Sequence, residues 1–255
     1  MKKPILGYQI WFTQRSGSTF LCEVLANTEL AGQPGEHIQL FEPDTNLLEK
    51  WNASDYPELR QHFWDHATSK NGICGQKAAI HQSRFDQVFQ GVQTAPQAPM
   101  FETPNDWLND WLPNCKHIYL TRRHRVRQVV SWWRAIQDDV WHRRGGQATD
   151  HDKAWYDAHY NFDALTHLFK ESILMECAQQ RYFDTYGIVP LTIVYEDMIQ
   201  DLESTLKRIF KHLSIEWSNQ TIQLPNMQVT ATSLSEYWVD RFTQEMQTGW
   251  SEKAY

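Results

Sequence analysis

Short apolar runs alternate along the chain with longer stretches of helical periodicity, an order that predicts a parallel sheet wrapped by helices. Ile5 to Thr13 is the first apolar run. After a polar break, Phe20, Leu21, Val24 and Leu25 recur at helical spacing. Ile73 to Ala79, His117 to Thr121 and Ile188 to Tyr195 read as further strands. Pro190 indicates that the last is entered late or lies near an edge, because proline cannot donate to a ladder. Val126, Val129, Val130, Trp133, Ile136 and Val140 form a helix stripe after the third strand, which places Trp133 in the core. Leu202, Leu206, Ile209, Phe210 and Leu213 form another after the fourth. Gln90 to Asn105, with three prolines, reads as a loop or insertion, and Gly145 to Asp152 as a second polar break before a long helical region that begins near Trp155. The expected fold class is α/β: a P-loop-like parallel β-sheet with helices on both faces, in one domain spanning 1–255.

The break after the first strand carries the clearest chemistry. Gln14-Arg15-Ser16-Gly17-Ser18-Thr19 connects a strand to a helix N-terminus. Such a turn aims backbone N–H groups and the positive end of the helix dipole at one point, and three hydroxyls add donors, so it suits a phosphate. The pattern GxxxxGK[ST] is absent, and the cation, Arg15, precedes the glycine. That counts against a P-loop kinase or nucleotide hydrolase, which needs the lysine after its second glycine.

Composition narrows the partners. A formal charge of −7 argues against a broad nucleic-acid surface. Cys22, Cys74, Cys115 and Cys177 form no CxxC pair and read as reduced core thiols of a cytoplasmic protein. Lys2 and Lys3 precede an apolar run, but Gln9, Gln14 and Arg15 follow too soon for a signal peptide. No run reaches the length of a membrane span.

Against this acidic background, Arg122, Arg123, Arg125, Arg127, Arg134, Arg143 and Arg144 form a cluster. Arg125, Arg127, Arg143 and Arg144 read as a solvated face. Arg122 and Arg123 stand at the carboxyl end of a strand, where open α/β sheets bind ligands, and Ser131 follows about two turns into the next helix. An arginine fork with a hydroxyl can hold a second phosphate. Two anion sites on strand ends point to a nucleotide with phosphates on both sides of its ribose.

These residues resemble a known family. Arg15 to Thr19 is similar to the 5′-phosphosulfate loop of sulfotransferases, Arg122 or Arg123 with Ser131 to their 3′-phosphate site, and Val194-Tyr195-Glu196-Asp197-Met198 to a segment of the cytosolic enzymes. A closer resemblance is to the bacterial trehalose 2-sulfotransferase family. It runs through Gln14 to Thr19, Ala31-Gly32-Gln33-Pro34-Gly35-Glu36, Gly75-Gln76-Lys77, Val130-Ser131-Trp132-Trp133-Arg134-Ala135 and Glu236-Tyr237-Trp238-Val239-Asp240-Arg241-Phe242. The resemblance implies a sulfotransferase fold and the donor 3′-phosphoadenosine 5′-phosphosulfate, without a metal. The acceptor it implies is a hydroxyl of a carbohydrate or glycolipid.

It also implies roles. Arg15, Ser16, Gly17, Ser18 and Thr19 hold the 5′ side of the donor, with Lys77 as an added cation, and Tyr195 stacks near adenine. Glu36 corresponds to the general base, and partial burial would raise its pKa toward working pH. His37 is its rival, since cytosolic sulfotransferases use histidine. Gln33, Trp132, Arg134 and Gln137 are candidates for sugar contacts; the alternative for Trp132 is a contact in a homodimer. The segment from Leu224 to Thr232 lacks the basic residues sulfotransferases usually place there, which leaves Gln228 and Thr230 as neutral donor contacts. A tryptophan-rich, non-catalytic carbohydrate-binding protein is the remaining alternative, and it leaves the paired anion sites unexplained.

Overall fold

The structure is a computed structural model that describes residues 3–39, 46–79, 82–145, 151–217, 222–228 and 232–248. In chain order the elements are β1 (Leu6–Phe12), α1 (Ser18–Asn27), α2 (Leu47–Trp51), α3 (Tyr56–Ala67), β2 (Ile73–Ala78), α4 (Gln82–Gln93), α5 (Pro104–Trp111) and β3 (Lys116–Thr121). They continue with α6 (Arg125–Asp138), β4 (Arg143–Arg144), α7 (Lys153–His159), α8 (Phe162–Tyr186), β5 (Leu191–Val194), α9 (Tyr195–Gln200), α10 (Leu202–His212), β6 (Met227–Gln228) and α11 (Ser233–Gln247). Contacts group the chain into two compact units, Met1–Thr121 with Met175–Pro225, and Arg122–Leu174 with Asn226–Tyr255.

The first unit is built on a four-stranded sheet in the order β2-β1-β3-β5, every pairing parallel. Parallel strands are buried on both faces, and their side chains alternate between two cores. Tyr8, Ile10 and Phe12 of β1 pack with Leu21, Val24 and Leu25 of α1 and Leu206, Ile209 and Phe210 of α10. Trp11 turns the other way, among Phe63 of α3, Phe85 of α4, Trp107 and Trp111 of α5 and Phe183 of α8. Helices therefore cover both faces. Trp11 is fully buried, and truncating such a residue to alanine costs about 3–5 kcal/mol. β5 begins at Leu191, directly after Pro190, and forms an edge of the sheet.

Polar side chains are also buried in this sheet. Gln76 Nε2 donates to Gln9 Oε1 at 2.6 Å, Trp111 Nε1 donates to Gln76 Oε1 at 2.8 Å, and Gln9 Nε2 donates to the Ile10 carbonyl at 2.9 Å. Trp11 Nε1 donates to His117 Nδ1 at 3.0 Å. An indole N–H can only donate, so His117 is neutral with its proton on Nε2. Only two of the four thiols lie in the core: Cys22 and Cys74 are buried, Cys115 is half-buried and Cys177 is exposed on α8. The proline-rich stretch is shorter than its composition indicates, since α4 runs through Gln93 and α5 starts at Pro104.

In the second unit, β4 and β6 pair antiparallel, Arg143 opposite Gln228 and Arg144 opposite Met227. Arg127 is more than a solvated charge: its guanidinium makes a two-pronged contact with the Glu236 carboxylate of α11, at 2.9 to 3.0 Å. Trp238 of α11 is fully buried and donates from Nε1 to the Tyr156 carbonyl at 2.8 Å. On α6 the buried residues are Gln128, Val129, Val130, Trp132, Arg134 and Ala135. Trp132, rather than Trp133, takes the inner face, and Ile136 is exposed. Apolar periodicity misses this arc because Gln128 and Arg134 count as solvent-facing, although Arg125 Nη1 reaches Gln128 Oε1 at 3.3 Å and Asp138 lies 3.4 Å from Arg134 Nε. No described helix is long and apolar enough to cross a membrane.

Candidate active site

Where β1 ends, the backbone turns through two left-handed residues, Arg15 at φ 62° and Gly17 at φ 83°. Glycine adopts that region freely, whereas for arginine it costs about 1–2 kcal/mol. Gly17 is also the N-cap of the ten-residue α1, which has no side-chain cap and no acid in its first turn. The first N–H groups of α1 are thus left to whatever anion the turn receives. Ser16 is fully buried and its Oγ has no hydrogen-bond partner in the protein, an arrangement that favours a ligand oxygen. Tyr195, the first residue of α9, lies against the turn: a Cβ on Gly17 would sit 2.5 Å from its Cδ2.

A second loop comes to the same end of the sheet. Gly32 has φ 71°, and a Cβ there would lie 2.6 to 2.8 Å from Ala67 O, Ile73 O and Gly75 N, so only glycine lets the chain pass. Gln33 N donates to Ala67 O and Lys77 N to Gly35 O, both at 2.9 Å, which fastens the loop beside β2. Glu36 follows. Its Oε1 lies 3.0 Å from Lys77 Nζ, and the same ammonium donates to Thr19 Oγ1 at 2.9 Å. The lysine side chain is 7% exposed and the glutamate 27%. Glu36 is thus partly buried, as expected, and faces an ammonium. By accepting from Lys77, the Thr19 hydroxyl keeps its own hydrogen for another acceptor.

His37 points away from solvent. Its Nε2 donates to the Gln33 carbonyl at 2.9 Å, and its ring packs among Trp51, Phe63 and His66. Burial pushes its pKa down from 6.5 to about 4, so the ring is neutral at neutral pH. Lys50 and Trp51, which carry no recognisable sequence signal, contact the backbone of the Glu36 loop.

Apart from Gln33, the remaining candidates lie in the second unit. Arg122 is half-buried and Arg123 exposed, both directly after β3, and Ser131 is half-buried on α6. Arg134 is 4% exposed, near Asp138 and 5.8 Å from the Tyr156 ring centroid, while Gln137 is half-buried. Gln228 lies on β6, and Thr230 falls outside the described residues. Gln33, in the first unit, is exposed. No group of three or more metal-ligating side chains occurs among the described residues.

An uncapped helix start, an orphaned hydroxyl and a buried lysine shared with a carboxylate make a site for an anionic group next to a proton acceptor. The model of the Stf0 sulphotransferase family matches residues 7–245, across both units. The chain belongs to that family. As a Stf0 sulphotransferase it is an enzyme, and two relatives match over nearly their whole length. It is 27% identical to the trehalose 2-sulfotransferase of Mycobacterium tuberculosis (96% of this chain, 97% of the relative). It is 24% identical to the trehalose 2-sulfotransferase of Mycolicibacterium smegmatis (94% and 95%). The crystal structure of a sulfotransferase from Alicyclobacillus acidocaldarius shares the fold, with a TM-score of 0.51 at 13% identity over 96% of this chain and 93% of that one.

Proposed function

We propose that this Stf0 sulphotransferase moves a sulfuryl group from 3′-phosphoadenosine 5′-phosphosulfate to a hydroxyl of a carbohydrate or glycolipid, with Glu36 as general base. The observation that carries the reading is the Lys77 ammonium, held between Glu36 Oε1 and Thr19 Oγ1 at 3.0 and 2.9 Å. It joins a proton acceptor to an anion-receiving turn. When bound, the donor supplies the sulfuryl group and leaves as the 3′,5′-bisphosphate. Ser16 Oγ, the α1 N–H groups, Arg15, Ser18 and Thr19 hold the 5′ side and meet the negative charge that develops there. Tyr195, against Gly17, borders the nucleoside. Arg122 or Arg123 with Ser131 takes the 3′-phosphate, and Gln228 and Thr230 add neutral contacts. No metal has a part: these donors supply positive charge by themselves.

Glu36 takes the proton of the acceptor hydroxyl as its oxygen attacks in line. A neutral His37 whose Nε2 proton is committed to Gln33 is the weaker base. Gln33, Trp132, Arg134 and Gln137 read acceptor hydroxyls, and the names of the two relatives favour a saccharide, trehalose among them. Thermal melting tests the donor: the 3′,5′-bisphosphate stabilises the fold, by about 2.7 kcal/mol at a hundredfold excess over its dissociation constant, and ADP much less. Equal shifts for both, with or without magnesium, overturn the donor. Labelled transfer to simple phenols and to no mono-, di- or lipid-linked saccharide overturns the acceptor class alone.

A further inference from the structure

The loop that presents Glu36 is gripped by two consecutive side chains of α2. Lys50 Nζ donates to the Glu36 carbonyl at 2.8 Å and to the Gln39 carbonyl at 2.7 Å, and Trp51 Nε1 donates to the His37 carbonyl at 3.1 Å. Three of the four carbonyls from Glu36 to Gln39 are therefore taken from one side. On the other side, Lys77 N donates to Gly35 O and His37 Nε2 to Gln33 O.

α2 has five residues, too few to be stable as an isolated helix. It is held by contacts that do not involve the loop. Asn46 and Glu49 form a reciprocal capping box, Leu47 is buried in the core, and His62 Nδ1 of α3 donates to the Trp51 carbonyl at 3.0 Å. The grip thus comes from an element anchored elsewhere. Burial of its head group lowers the Lys50 pKa, as befits an ammonium that has exchanged water for backbone carbonyls. Bonds from a charged donor are shorter and stronger than neutral ones, and here two converge on the backbone segment that carries the carboxylate.

We propose that Lys50 is a positioning residue for the general base: by tying the carbonyls of Glu36 and Gln39 together, its ammonium fixes the backbone from which the Glu36 carboxylate meets the acceptor. Trp51 completes the hold through His37. The inference rests on the assignment of Glu36 as base.

Lys50→Met and Lys50→Arg, each made in the wild-type and Glu36→Gln backgrounds, test it with the 3′-phosphoadenosine 5′-phosphosulfate donor and the best acceptor of a saccharide panel that includes trehalose. Misplacing a reacting group by about 1 Å costs up to about a hundredfold. Lys50→Met is therefore expected to lower kcat by about ten- to a hundredfold, leave the donor KM near wild type, and speed amide hydrogen exchange through 35–39. Lys50→Arg, which also reaches two carbonyls, should recover most of the rate. In the Glu36→Gln background Lys50→Met should have no further effect, because residues that act through one another are not additive. A wild-type kcat for Lys50→Met, or the same fold-loss in both backgrounds, overturns the inference while the base assignment stands. Wild-type turnover in Glu36→Gln itself removes the base assignment and the inference with it.

Discussion

Lys77 and Glu36 meet at 3.0 Å with the lysine side chain almost withdrawn from water, at 7% exposure. A buried ammonium is costly unless paired and hydrogen-bonded. The pair therefore maintains the fold as well as the site, and the two duties can be separated by the choice of substitution.

Glu36→Ala leaves Lys77 with the Thr19 hydroxyl and the Phe12 ring, 5.0 Å from its ammonium, whereas the amide of Glu36→Gln still accepts a hydrogen bond. Because Glu36 is partly exposed, the alanine variant should lose only about 1–3 kcal/mol more than the glutamine variant. Urea unfolding of the two proteins measures the difference, and equal midpoints would show that Lys77 does not depend on this partner.

Turnover should respond in another order. Glu36→Gln removes the proposed proton acceptor and should lower kcat by about two to four orders of magnitude, with the melting shift from the 3′,5′-bisphosphate retained. His37→Asn should cost stability first and rate second. A larger rate loss in His37→Asn, with Glu36→Gln near wild type, would move the base to His37.

Gly17→Ala combines strain with a clash: φ is 83°, and the added Cβ would meet Tyr195 Cδ2 at 2.5 Å. The expected loss is about 1–3 kcal/mol, because alanine both strains the left-handed turn and overpacks it. The bisphosphate shift should shrink as the turn deforms. Unaltered melting and ligand shift would mean that the tyrosine gives way at no cost and does not fix the turn.

Acid should weaken the fold through two histidines. Burial pushes His37 and His117 from 6.5 to about 4, so the folded state keeps them neutral while the unfolded chain protonates them below 6.5. Their contribution is complete above the unfolded value and is lost as pH falls from 6.5 toward 4, by at most about 3 kcal/mol each. For His117 burial comes first and the neighbouring His212 adds to it, and the geometry acts in the same direction, since a proton on Nδ1 would displace the Trp11 N–H. Unfolding free energies between pH 7.5 and 4.5 should show the slope, and His117→Gln should remove part of it; an unchanged slope would show that His117 titrates alike in the folded and unfolded states.

The strands and the anion turn are legible in the sequence because both are local. Ile73 to Ala79 and His117 to Thr121 lie within a residue of β2 and β3, and Pro190 marks the late start of β5. Gly17 and the Ser-Thr donors announce a helix N-terminus for the same reason. Tertiary packing hides the rest. Trp132 and Trp133 are adjacent and equally apolar, and only the pairing of Gln128 and Arg134 with neighbours decides which faces inward. Lys77 stands out on a strand, but its position between Glu36 and Thr19 spans three separated segments. Lys50 and Trp51 belong to a helix too short for any periodicity, and their partners are backbone carbonyls, which every residue carries.

The buried Gln9–Gln76–Trp111 chain has a bearing on how the reaction centre can vary. Gln9 lies opposite Gln76 across β1 and β2, and Ile10 lies opposite Lys77. Slipping the two strands by one residue would break that chain and strand its polar groups in the core. The core amides therefore act as a ruler that sets Lys77 against the turn at the end of β1. The distance between lysine and turn is therefore set inside the sheet, and changes in the surface loops around it leave that distance in place.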